Sequence, residues 1–245
     1  MIGMGEVGRR LAGALERAGV DVVRVMRAAG WEQTLSADAG ARIVCVGETQ
    51  LAAVVERLRS VPPESLVFVQ NGWIRPDLAA VAGHTRGLVW FTSKGEFFRS
   101  LRPSLFAGPL AVDMAAVLSA GGIAAEALDD AAFRAAEAEK MGFNCVVGLP
   151  LAVHGITLAE YVTRHPAEAR AVFDEAAAVT ARALGVAADP GWWADFLLAA
   201  EPLGWVKSGA PKALAYRNGA VVALARRLGL DAPINLRLLA AVAAG

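Results

Sequence analysis

A glycine-rich turn with the spacing of a phosphate-binding loop begins at the third residue. The chain starts Met1-Ile2 and continues with the G-x-G-x-x-G pattern. In such a turn the first glycine permits the tight bend, the second lets the backbone approach a pyrophosphate, and the third lets helix and strand pack closely. A helix predicted from Val7 to Ala18 would point its N-terminal N–H groups at the anion. The pattern predicts a dinucleotide site made by Gly3, Met4, Gly5, Glu6, Val7 and Gly8, with the Glu6 side chain facing away from the phosphates.

An arginine stands where dinucleotide-binding proteins select their cofactor. Arg27 follows Gly8 by nineteen residues, at the end of the second predicted strand. An acidic residue there binds the ribose 2′-hydroxyl of NAD, whereas an arginine suits the 2′-phosphate of NADP. We therefore expect NADP(H) with Arg27 as the selector. Two alternatives stay open: Arg24 could take that role, or Arg27 could be a solvated surface residue.

A lysine and an asparagine in the second half of the chain have the spacing of a catalytic pair. Lys140 and Asn144 are four residues apart, so on a helix they share one face. Beside apolar residues they could serve as a proton donor and its positioning partner. The alternative interpretation is structural, because most lysines on alanine-rich helices are solvated and pair with a glutamate such as Glu137.

The composition narrows the class of protein. The chain has 245 residues, of which 56% are hydrophobic and 20% charged, enough for a large core. Its 24 basic and 24 acidic residues argue against nucleic acid as the main partner. No apolar run of spanning length and no secretory signal are visible, which predicts a cytoplasmic protein without a membrane segment. The three histidines lack metal-ligand spacing, so we expect no metal, and Cys45 and Cys145 lie in apolar runs typical of buried free thiols.

The first half of the sequence alternates strand and helix patterns. Strands are predicted at 20–26, 42–47 and 66–70, with shorter candidates at 88–92 and 104–107 and a helix at 50–59. Strands and helices in this alternation are typical of right-handed βαβ units in a doubly wound parallel sheet. Only Met1 and Ile2 precede the glycine turn, so either the true start lies upstream or the sheet tolerates a very short first strand.

The second half reads as helical throughout. A helix capped by Asp129 or Asp130 is predicted to run to residue 147. Further helical segments are predicted at 151–164, 166–185, 190–200 and 211–229. The expected fold class is therefore α/β, with an N-terminal Rossmann-type doubly wound sheet at 1–127 followed by an all-α C-terminal domain at 128–245.

Several stretches taken in order resemble the ketopantoate reductase family, the 2-dehydropantoate 2-reductases. They are the glycine turn, Arg27, Gln70-Asn71-Gly72, the run from Lys140 to Cys145, and Tyr216-Arg217-Asn218-Gly219 followed by Pro233-Ile234-Asn235. The resemblance implies an NADPH-dependent oxidoreductase of pantothenate biosynthesis with a Rossmann domain and a helical domain. In its terms Lys140 protonates the developing alkoxide, Asn144 orients the substrate, and Asn71 holds the nicotinamide ribose and the substrate near one another.

The departures from the family pattern concern substrate binding. Glu48 stands in a stretch where the family often has a lysine, Gly148 replaces a second asparagine, and Ala213 aligns with a glutamate that binds substrate hydroxyls. A site that has lost such hydrogen bonds discriminates strongly against the original substrate. We therefore expect a different carbonyl substrate, bulkier or more apolar than ketopantoate. Apolar pocket walls could come from three tryptophans, which could equally be core or interface residues: Trp192, Trp193 and Trp205.

Two functions from different classes follow from these residues. The first is an NADPH-dependent reductase of the keto group of a 2-keto acid or related ketone, a small-molecule carbonyl substrate. The second is a catalytically impaired NADP-binding sensor or partner protein, favoured by Ala213 and Gly148 and opposed by Lys140 and Asn144. Reduction of an imine is a more distant alternative that rests on the two-domain plan alone. A homodimer formed through the helical half is also expected.

Overall fold

The computed structural model describes residues 1–26, 30–36, 40–207 and 213–243. The chain separates into two compact units, Met1–Phe133 and Arg134–Gly245, which meet inside one long helix. The sequence predicts the division slightly earlier, between residues 127 and 128. Within the described residues, no helix combines the length and the apolar character that crossing a membrane requires.

The first unit is built on a mostly parallel sheet. Five of its strands lie in the order β1-β2-β3-β6-β7, in which only the β3–β6 pair is antiparallel. β4 and β5 pair separately as an antiparallel hairpin. The strands are β1 (Arg42–Val44), β2 (Leu66–Phe68), β3 (Thr85–Leu88), β4 (Phe91–Lys94), β5 (Phe97–Ser100), β6 (Ser104–Ala107) and β7 (Ala125–Ala127).

The very short first strand is a single residue that pairs on both sides. Ile2 forms parallel bridges to Val25 and to Val44, and its side chain is only 2% exposed. Its N–H donates to the carbonyl of Ile43 at 2.8 Å, and its carbonyl accepts from the N–H of Cys45 at 2.7 Å. The strand predicted at 20–26 is therefore wrong over most of its length, because only Val25 and Met26 at its end take part in β-bridges.

Helices cover the sheet of the first unit. They are α1 (Glu6–Arg17), α2 (Trp31–Leu35), α3 (Glu48–Arg57) and α4 (Ala111–Ala120). The inner face of α1 places Leu11 and Leu15 in one buried cluster with Met114 and Leu118 of α4 and with side chains of the sheet. Burial of this kind stabilises the fold by about 25 cal/mol per Å² of apolar surface. The doubly wound architecture predicted from the alternating pattern is thus confirmed.

An arginine of α1 makes several contacts with the β4–β5 hairpin. The Arg10 Nε donates to Ser93 Oγ at 2.8 Å, and its Nη2 donates to the carbonyl of Gly95 at 2.6 Å. The guanidinium also lies 5.6 Å from the ring centroid of Phe98. The sequence predicts one strand at 88–92, whereas β3 ends at Leu88 and β4 begins at Phe91.

The described part of the second unit is built from helices. They are the remainder of α5 (Asp130–Val146), then α6 (Leu149–His154), α7 (Leu158–Arg164), α8 (Pro166–Leu184), α9 (Trp192–Ala200), α10 (Asn218–Leu228) and α11 (Pro233–Ala243). Gly142 of α5 faces the Phe173 ring of α8 so closely that a Cβ there would lie 2.8 Å from the ring. The predicted helical character is confirmed, although in the described part of the segment predicted at 211–229 a 3-10 turn (Leu214–Tyr216) precedes the α-helix, which starts at Asn218.

The helix predicted at 151–164 is interrupted by local capping. Gly155 adopts a left-handed backbone with φ of 66° at the end of α6. Thr157 and Glu160 then form a reciprocal capping box that starts α7. Ser or Thr followed three residues later by Glu is a recognised signal for a helix start, and it was present in the sequence at Thr157.

A polar cluster joins four helices of the second unit around Glu168 of α8. Its carboxylate accepts from the Tyr161 hydroxyl at 3.0 Å, lies 2.7 Å from His154 Nε2, and pairs with Arg237. The His154 ring stacks on His165 with centroids 4.3 Å apart. Burial alone would raise the pKa of Glu168, but the hydrogen bonds from His154 and Tyr161 and the nearby positive charges outweigh it and lower the pKa.

Candidate functional site

The three glycines of the phosphate turn meet three different steric demands. Gly3 has φ of +91°, and a Cβ on it would lie 2.9 Å from backbone atoms of Cys45 and Val46. A Cβ on Gly8 would lie 2.0 Å from the carbonyl oxygen of Gly3, so the start of α1 can approach the turn only without a side chain. A Cβ on Gly5 would meet no atom within 4 Å. Gly5 therefore borders open space that a ligand can enter.

A second helix N-terminus lies beside the same opening. α3 begins after Gly47, and a Cβ on Gly47 would also meet nothing within 4 Å. Neither Gly5 nor Gly47 caps its helix with a side chain, so N–H groups at both helix starts are available to an anion. Ile2 and β1 are the strands on either side of the point where the chain order reverses, the usual ligand site of doubly wound sheets.

A cavity of about 670 Å³ opens at this point. It runs from Gly3, Met4 and Gly5 to a group of side chains on α2 and α3. The α3 positions have helical spacing and form one face: Gln50, Ala53, Val54 and Arg57. The remaining lining residues are Ile2, Val25, Met26, Trp31, Cys45, Val46, Gly47 and Thr49. An open glycine turn, two uncapped helix starts and a cavity of this size fit a dinucleotide.

The other predicted residues of the turn are supporting ones. Met4 and Val7 are partly buried and pack against the main cluster of the first unit. The Glu6 carboxylate accepts from Arg9 at 2.5 Å and from Ser93 Oγ at 3.3 Å. Its negative charge is thus engaged by the helix and the hairpin.

The predicted selector Arg27 lies outside the described residues. Arg24, the competing candidate, is exposed and pairs with Glu16 of α1. Met26, the last described residue before Arg27, lines the cavity.

Asn71 follows β2 with one polar atom unsatisfied. Its Oδ1 is buried and has no hydrogen-bond partner among the described residues. The neighbouring Gln70 is 5% exposed, and its Nε2 donates to the carbonyl of Val44 at 2.8 Å, which ties β1 to the end of β2. Gly72 then turns the chain with φ of 84°. In this stretch Asn71 Oδ1 and Gln70 Oε1 are both buried without a partner among the described residues, while the Gln70 amide nitrogen is used structurally.

Lys140 and Asn144 are both buried on one face of α5. Lys140 is 5% exposed and Asn144 6%, so the interpretation of Lys140 as a solvated helix lysine is wrong. The Lys140 Nζ lies 4.5 Å from the ring centroid of Phe143, a favourable position for a cation. Asn144 Nδ2 is buried without a hydrogen-bond partner in the described part of the chain. Burial of a lysine is costly unless its charge is compensated or used.

Charged neighbours on the same helix share this environment. Glu137 is 3% exposed and Glu139 7% exposed. Glu137 lies three residues before Lys140, which places both on one side of α5. A buried acidic residue therefore shares the side of α5 on which Lys140 lies.

The two positions that depart from the family pattern carry no side chain able to bind a hydroxyl. Gly148 immediately precedes α6, and a Cβ on it would lie 3.3 Å from the carbonyl oxygen of Asn144 and 3.8 Å from Arg217 Nη1. Ala213 has φ of 52°, in the left-handed region that few non-glycine residues adopt. Neither position can donate or accept a side-chain hydrogen bond, and their match to the family's asparagine and glutamate stays a prediction.

The C-terminal landmarks form a structural network. Asn218 Nδ2 donates to the carbonyl of Cys145 at 3.2 Å and to Asn235 Oδ1 at 2.8 Å. Glu175 of α8 accepts from the backbone N–H groups of Ile234 and Asn235, each at 2.9 Å, and so caps α11. Nothing in the sequence singles out Glu175, because it lies in an alanine-rich helix without a motif.

The three tryptophans do not form one pocket wall. Trp192 is buried, and Trp193 stacks on Phe196 with centroids 4.9 Å apart and meets the edge of Phe173 at 5.6 Å. Trp205 is 55% exposed. The interpretation of Trp192 and Trp193 as core aromatics therefore holds.

Both cysteines are free thiols; Cys145 is buried, whereas Cys45 is partly buried and lines the cavity. Burial raises the pKa of Cys45 to about 12 and the pKa of Cys145 to about 12, so neither forms a thiolate near neutral pH. Within the described residues, no group of three His, Cys, Asp or Glu side chains is arranged to hold a metal ion.

Part of the cavity was missed by sequence reasoning. Gly47 could have been found, because a glycine between a buried strand and a helix is a recognisable anion-binding start. Gln50 and Arg57 share one helical face, but periodicity alone does not show that this face borders a cavity. Trp31 lies on a short helix that the sequence did not predict.

Solved structures share this fold along almost the whole chain. A ketopantoate reductase from Ralstonia eutropha JMP134 matches with a TM-score of 0.77 at 21% identity, over 96% of this chain and 94% of that chain. A 2-dehydropantoate 2-reductase from Geobacter metallireducens GS-15 matches with a TM-score of 0.79 at 18% identity, over 98% and 97%. A D-mandelate dehydrogenase with bound NADH and anilino(oxo)acetate matches with a TM-score of 0.79 at 16% identity, over 99% and 96%.

Comparison by sequence found no match, in contrast to comparison by fold. No protein-family model matches the chain, and no curated protein matches it by sequence. The resemblance to ketopantoate reductases is therefore confirmed in the fold, a Rossmann-like N-terminal part followed by a helical C-terminal part.

Proposed function

We propose that the chain is an NADPH-dependent oxidoreductase that reduces the keto group of a 2-keto acid or a related ketone. The observation that carries this proposal is the burial of Lys140 and Asn144 on one face of α5. A proton donor to a developing alkoxide needs a sheltered, positively charged group, and Lys140 and Asn144 supply a charged donor and an unsatisfied amide on one buried face.

The proposed roles follow the chemistry of each residue. NADPH, when bound, supplies a hydride to the carbonyl carbon. Lys140 holds the proton that passes to the carbonyl oxygen, and the ring of Phe143 stabilises its charged form. Asn144 orients the substrate through its unsatisfied amide. Asn71 contacts the nicotinamide ribose and the substrate.

The cofactor site is proposed on the glycine turn. Gly3, Gly5 and Gly8, with Met4, Glu6 and Val7 between them, hold the pyrophosphate at the start of α1. Arg27 selects NADPH over NADH through the 2′-phosphate. The D-mandelate dehydrogenase, which has the same fold, is described with NADH, so the choice of nucleotide has to be measured.

The substrate is proposed to differ from ketopantoate. Ala213 and Gly148 supply no hydrogen bonds to a substrate hydroxyl. Mandelate is an aromatic 2-hydroxy acid, so this fold accommodates substrates that lack the hydroxyl of ketopantoate. We therefore favour an apolar 2-keto acid. We also propose that two copies of the chain form a homodimer.

A panel assay tests the reductase activity. NADPH oxidation by the purified protein is followed with ketopantoate, phenylglyoxylate, branched 2-keto acids and simple ketones, and repeated with NADH. We expect turnover of an apolar 2-keto acid with NADPH, and an Arg27→Asp variant should shift preference towards NADH. Turnover of ketopantoate alone at an ordinary rate would overturn the substrate proposal, and an Arg27→Asp variant without a shift would overturn the selector.

The second candidate is a catalytically impaired NADP-binding sensor or partner protein. The observation that favours it is the missing hydrogen-bonding groups at Ala213 and Gly148. Binding of NADPH without turnover of any carbonyl in the panel would select this function over the first.

A further inference from the structure

The cavity beside the glycine turn has one charged residue at its far end. Among its described lining residues, Arg57 is the only one with a charged side chain. All other described lining residues are apolar, small or neutral polar. A ligand that enters from the turn therefore meets a single positive charge, and this charge is supplied by the last residue of α3.

The direction of the Arg57 side chain suits this position. α3 runs from Glu48, next to the turn, to Arg57, about 14 Å further along at 1.5 Å per residue. Long side chains on a helix lean towards its N-terminus and cover the preceding turn. Arg57 therefore leans back along the cavity in the direction of the glycine turn, over the face that contains Gln50, Ala53 and Val54.

An aromatic ring holds the guanidinium in place. Arg57 Cζ lies 4.8 Å over the ring of Trp31, measured to its centroid, which is a cation–π contact. Such a contact uses none of the guanidinium N–H donors, and these donors match a phosphate in a two-pronged geometry. The Trp31 Nε1 is itself buried without a hydrogen-bond partner among the described residues, so it offers a further donor.

We propose that Trp31 and Arg57 form a second recognition element for the cofactor, in which Arg57 binds the phosphate on the adenosine ribose of NADPH. This inference rests on the proposed function and deepens it, because it assigns nucleotide preference to a residue outside the glycine turn and separate from Arg27. A dinucleotide laid across the turn has two groups of negative charge, its pyrophosphate and its 2′-phosphate. The helix starts after Gly5 and Gly47 suit the first, and Arg57 suits the second.

Fragment binding separates recognition of the 2′-phosphate from recognition of the rest of the nucleotide. Affinities for 2′,5′-ADP and for 5′-AMP are measured by calorimetry on wild type and on Arg57→Gln, Trp31→Leu and Arg59→Gln. Arg59 is the matched control, because it is an exposed arginine two residues further on that pairs with Glu56 at 2.8 Å and does not line the cavity. Thermal unfolding of each variant shows whether the fold is kept.

The expected pattern is selective. Arg57→Gln should weaken 2′,5′-ADP binding by about tenfold or more, the loss expected for a hydrogen bond to a charged group, and change 5′-AMP binding by less than about twofold. Trp31→Leu should weaken 2′,5′-ADP binding by a smaller factor, and Arg59→Gln should resemble wild type. Equal losses for both nucleotides in Arg57→Gln, no loss at all, or a wild-type protein that does not bind 2′,5′-ADP would each overturn the inference.

The same samples distinguish this inference from the proposed function. If Arg57→Gln binds 2′,5′-ADP like wild type while NADPH oxidation of a 2-keto acid continues, the reductase stands and the second element is wrong. If wild type binds 2′,5′-ADP through Arg57 and reduces no carbonyl in the panel, the second element stands and the reductase proposal fails.

Discussion

The glycine turn of the first unit and the Lys140 face of the second unit differ in whether backbone or side-chain atoms are proposed to bind the ligand. At the turn, Gly3, Gly5 and Gly8 leave space by having no side chain, and the proposed binding groups belong to the backbone. On α5, the proposed binding groups are the side chains of Lys140 and Asn144, which are buried among other polar residues. A site made of backbone is defined by spacing along the chain, whereas a site made of side chains is defined by what packs around it.

This contrast predicts that the two regions respond differently to substitution. Changes at the turn should affect the fold and cofactor affinity according to the space beyond each Cα. Changes on α5 should affect turnover and leave cofactor affinity nearly constant.

The largest expected effect is at Lys140. Lys140→Met keeps most of the side-chain volume and removes the proton donor, so kcat should fall by about 100-fold or more, in line with general acid catalysis. The affinity for NADPH, measured by fluorescence titration, should stay within about twofold. Lys207→Met is the control, since Lys207 is an exposed lysine of the same unit. A Lys140→Met variant as fast as wild type would remove Lys140 from the chemistry and end the contrast.

The glycine pair gives the next largest effect. Gly8→Ala would place a Cβ 2.0 Å from the Gly3 carbonyl oxygen, and overpacking of this kind costs about 3 kcal/mol of unfolding free energy. Gly5→Ala meets no protein atom within 4 Å, so it should fold like wild type and bind NADPH at least tenfold more weakly. Denaturant unfolding and nucleotide titration measure the two quantities. Equal stability losses in both variants would show that Gly5 is a structural position.

A substitution in the Glu175 network should lower the unfolding free energy without changing kcat. Glu175→Gln places an amide donor against the N–H groups of Ile234 and Asn235, which should lower the unfolding free energy by about 2 kcal/mol. The kcat of the folded variant should match wild type. Asp174→Asn, which alters only an exposed pair with Arg170 on the same helix, is the control. Lost turnover at unchanged stability would instead place the network in the catalytic machinery.

The smallest effect concerns acid stability of the second unit. The pKa of Glu168 is lowered in the folded state, so its stabilising contribution is present above the unfolded-state value of 4.5 and is lost as the pH falls through the lower folded value. Glu168→Gln should therefore cost about 1 kcal/mol at neutral pH and less as the pH falls below 4.5. Denaturant unfolding at several pH values measures this. Glu56→Gln, in an exposed pair, should show neither change, and a pH-independent loss in Glu168→Gln would assign its effect to packing.

Much of the fold could be predicted from the sequence, because its signals are local. Apolar runs encode the strands at 42–44, 66–68 and 104–107. The helix that begins at Asp130 is encoded by the capping residue Asp129, whose Oδ1 accepts from the Ala132 N–H at 2.8 Å. Errors arose where pairing or capping decided the outcome. Only the last two residues of the strand predicted at 20–26 take part in β-bridges, and Gly155 and Thr157 divided a helix that its composition alone would have continued.

The candidate site shows the same division. The turn and the Lys140–Asn144 pair follow from spacing within the sequence. Trp31, Arg57 and Glu175 could not be predicted, because their significance depends on contacts between segments that are distant in the chain. Periodicity reports which residues share a face of a helix, but it does not report what that face borders.

Ile2 and the residues beside it are hydrogen-bonded to two neighbouring segments of the chain. Ile2 makes two hydrogen bonds with residues 43–45, and its neighbours Met1 and Gly3 make two more with Val25. The Val25 N–H donates to the Met1 carbonyl at 2.8 Å, and the Val25 carbonyl accepts from the Gly3 N–H at 3.2 Å. Among the described strand residues, Val25 reaches the rest of the sheet through this segment alone. Amide protons of Ile2, Gly3, Val25 and Cys45 should therefore exchange with solvent in a single opening event. Their common exchange rate should fall when cofactor binds to the glycine turn.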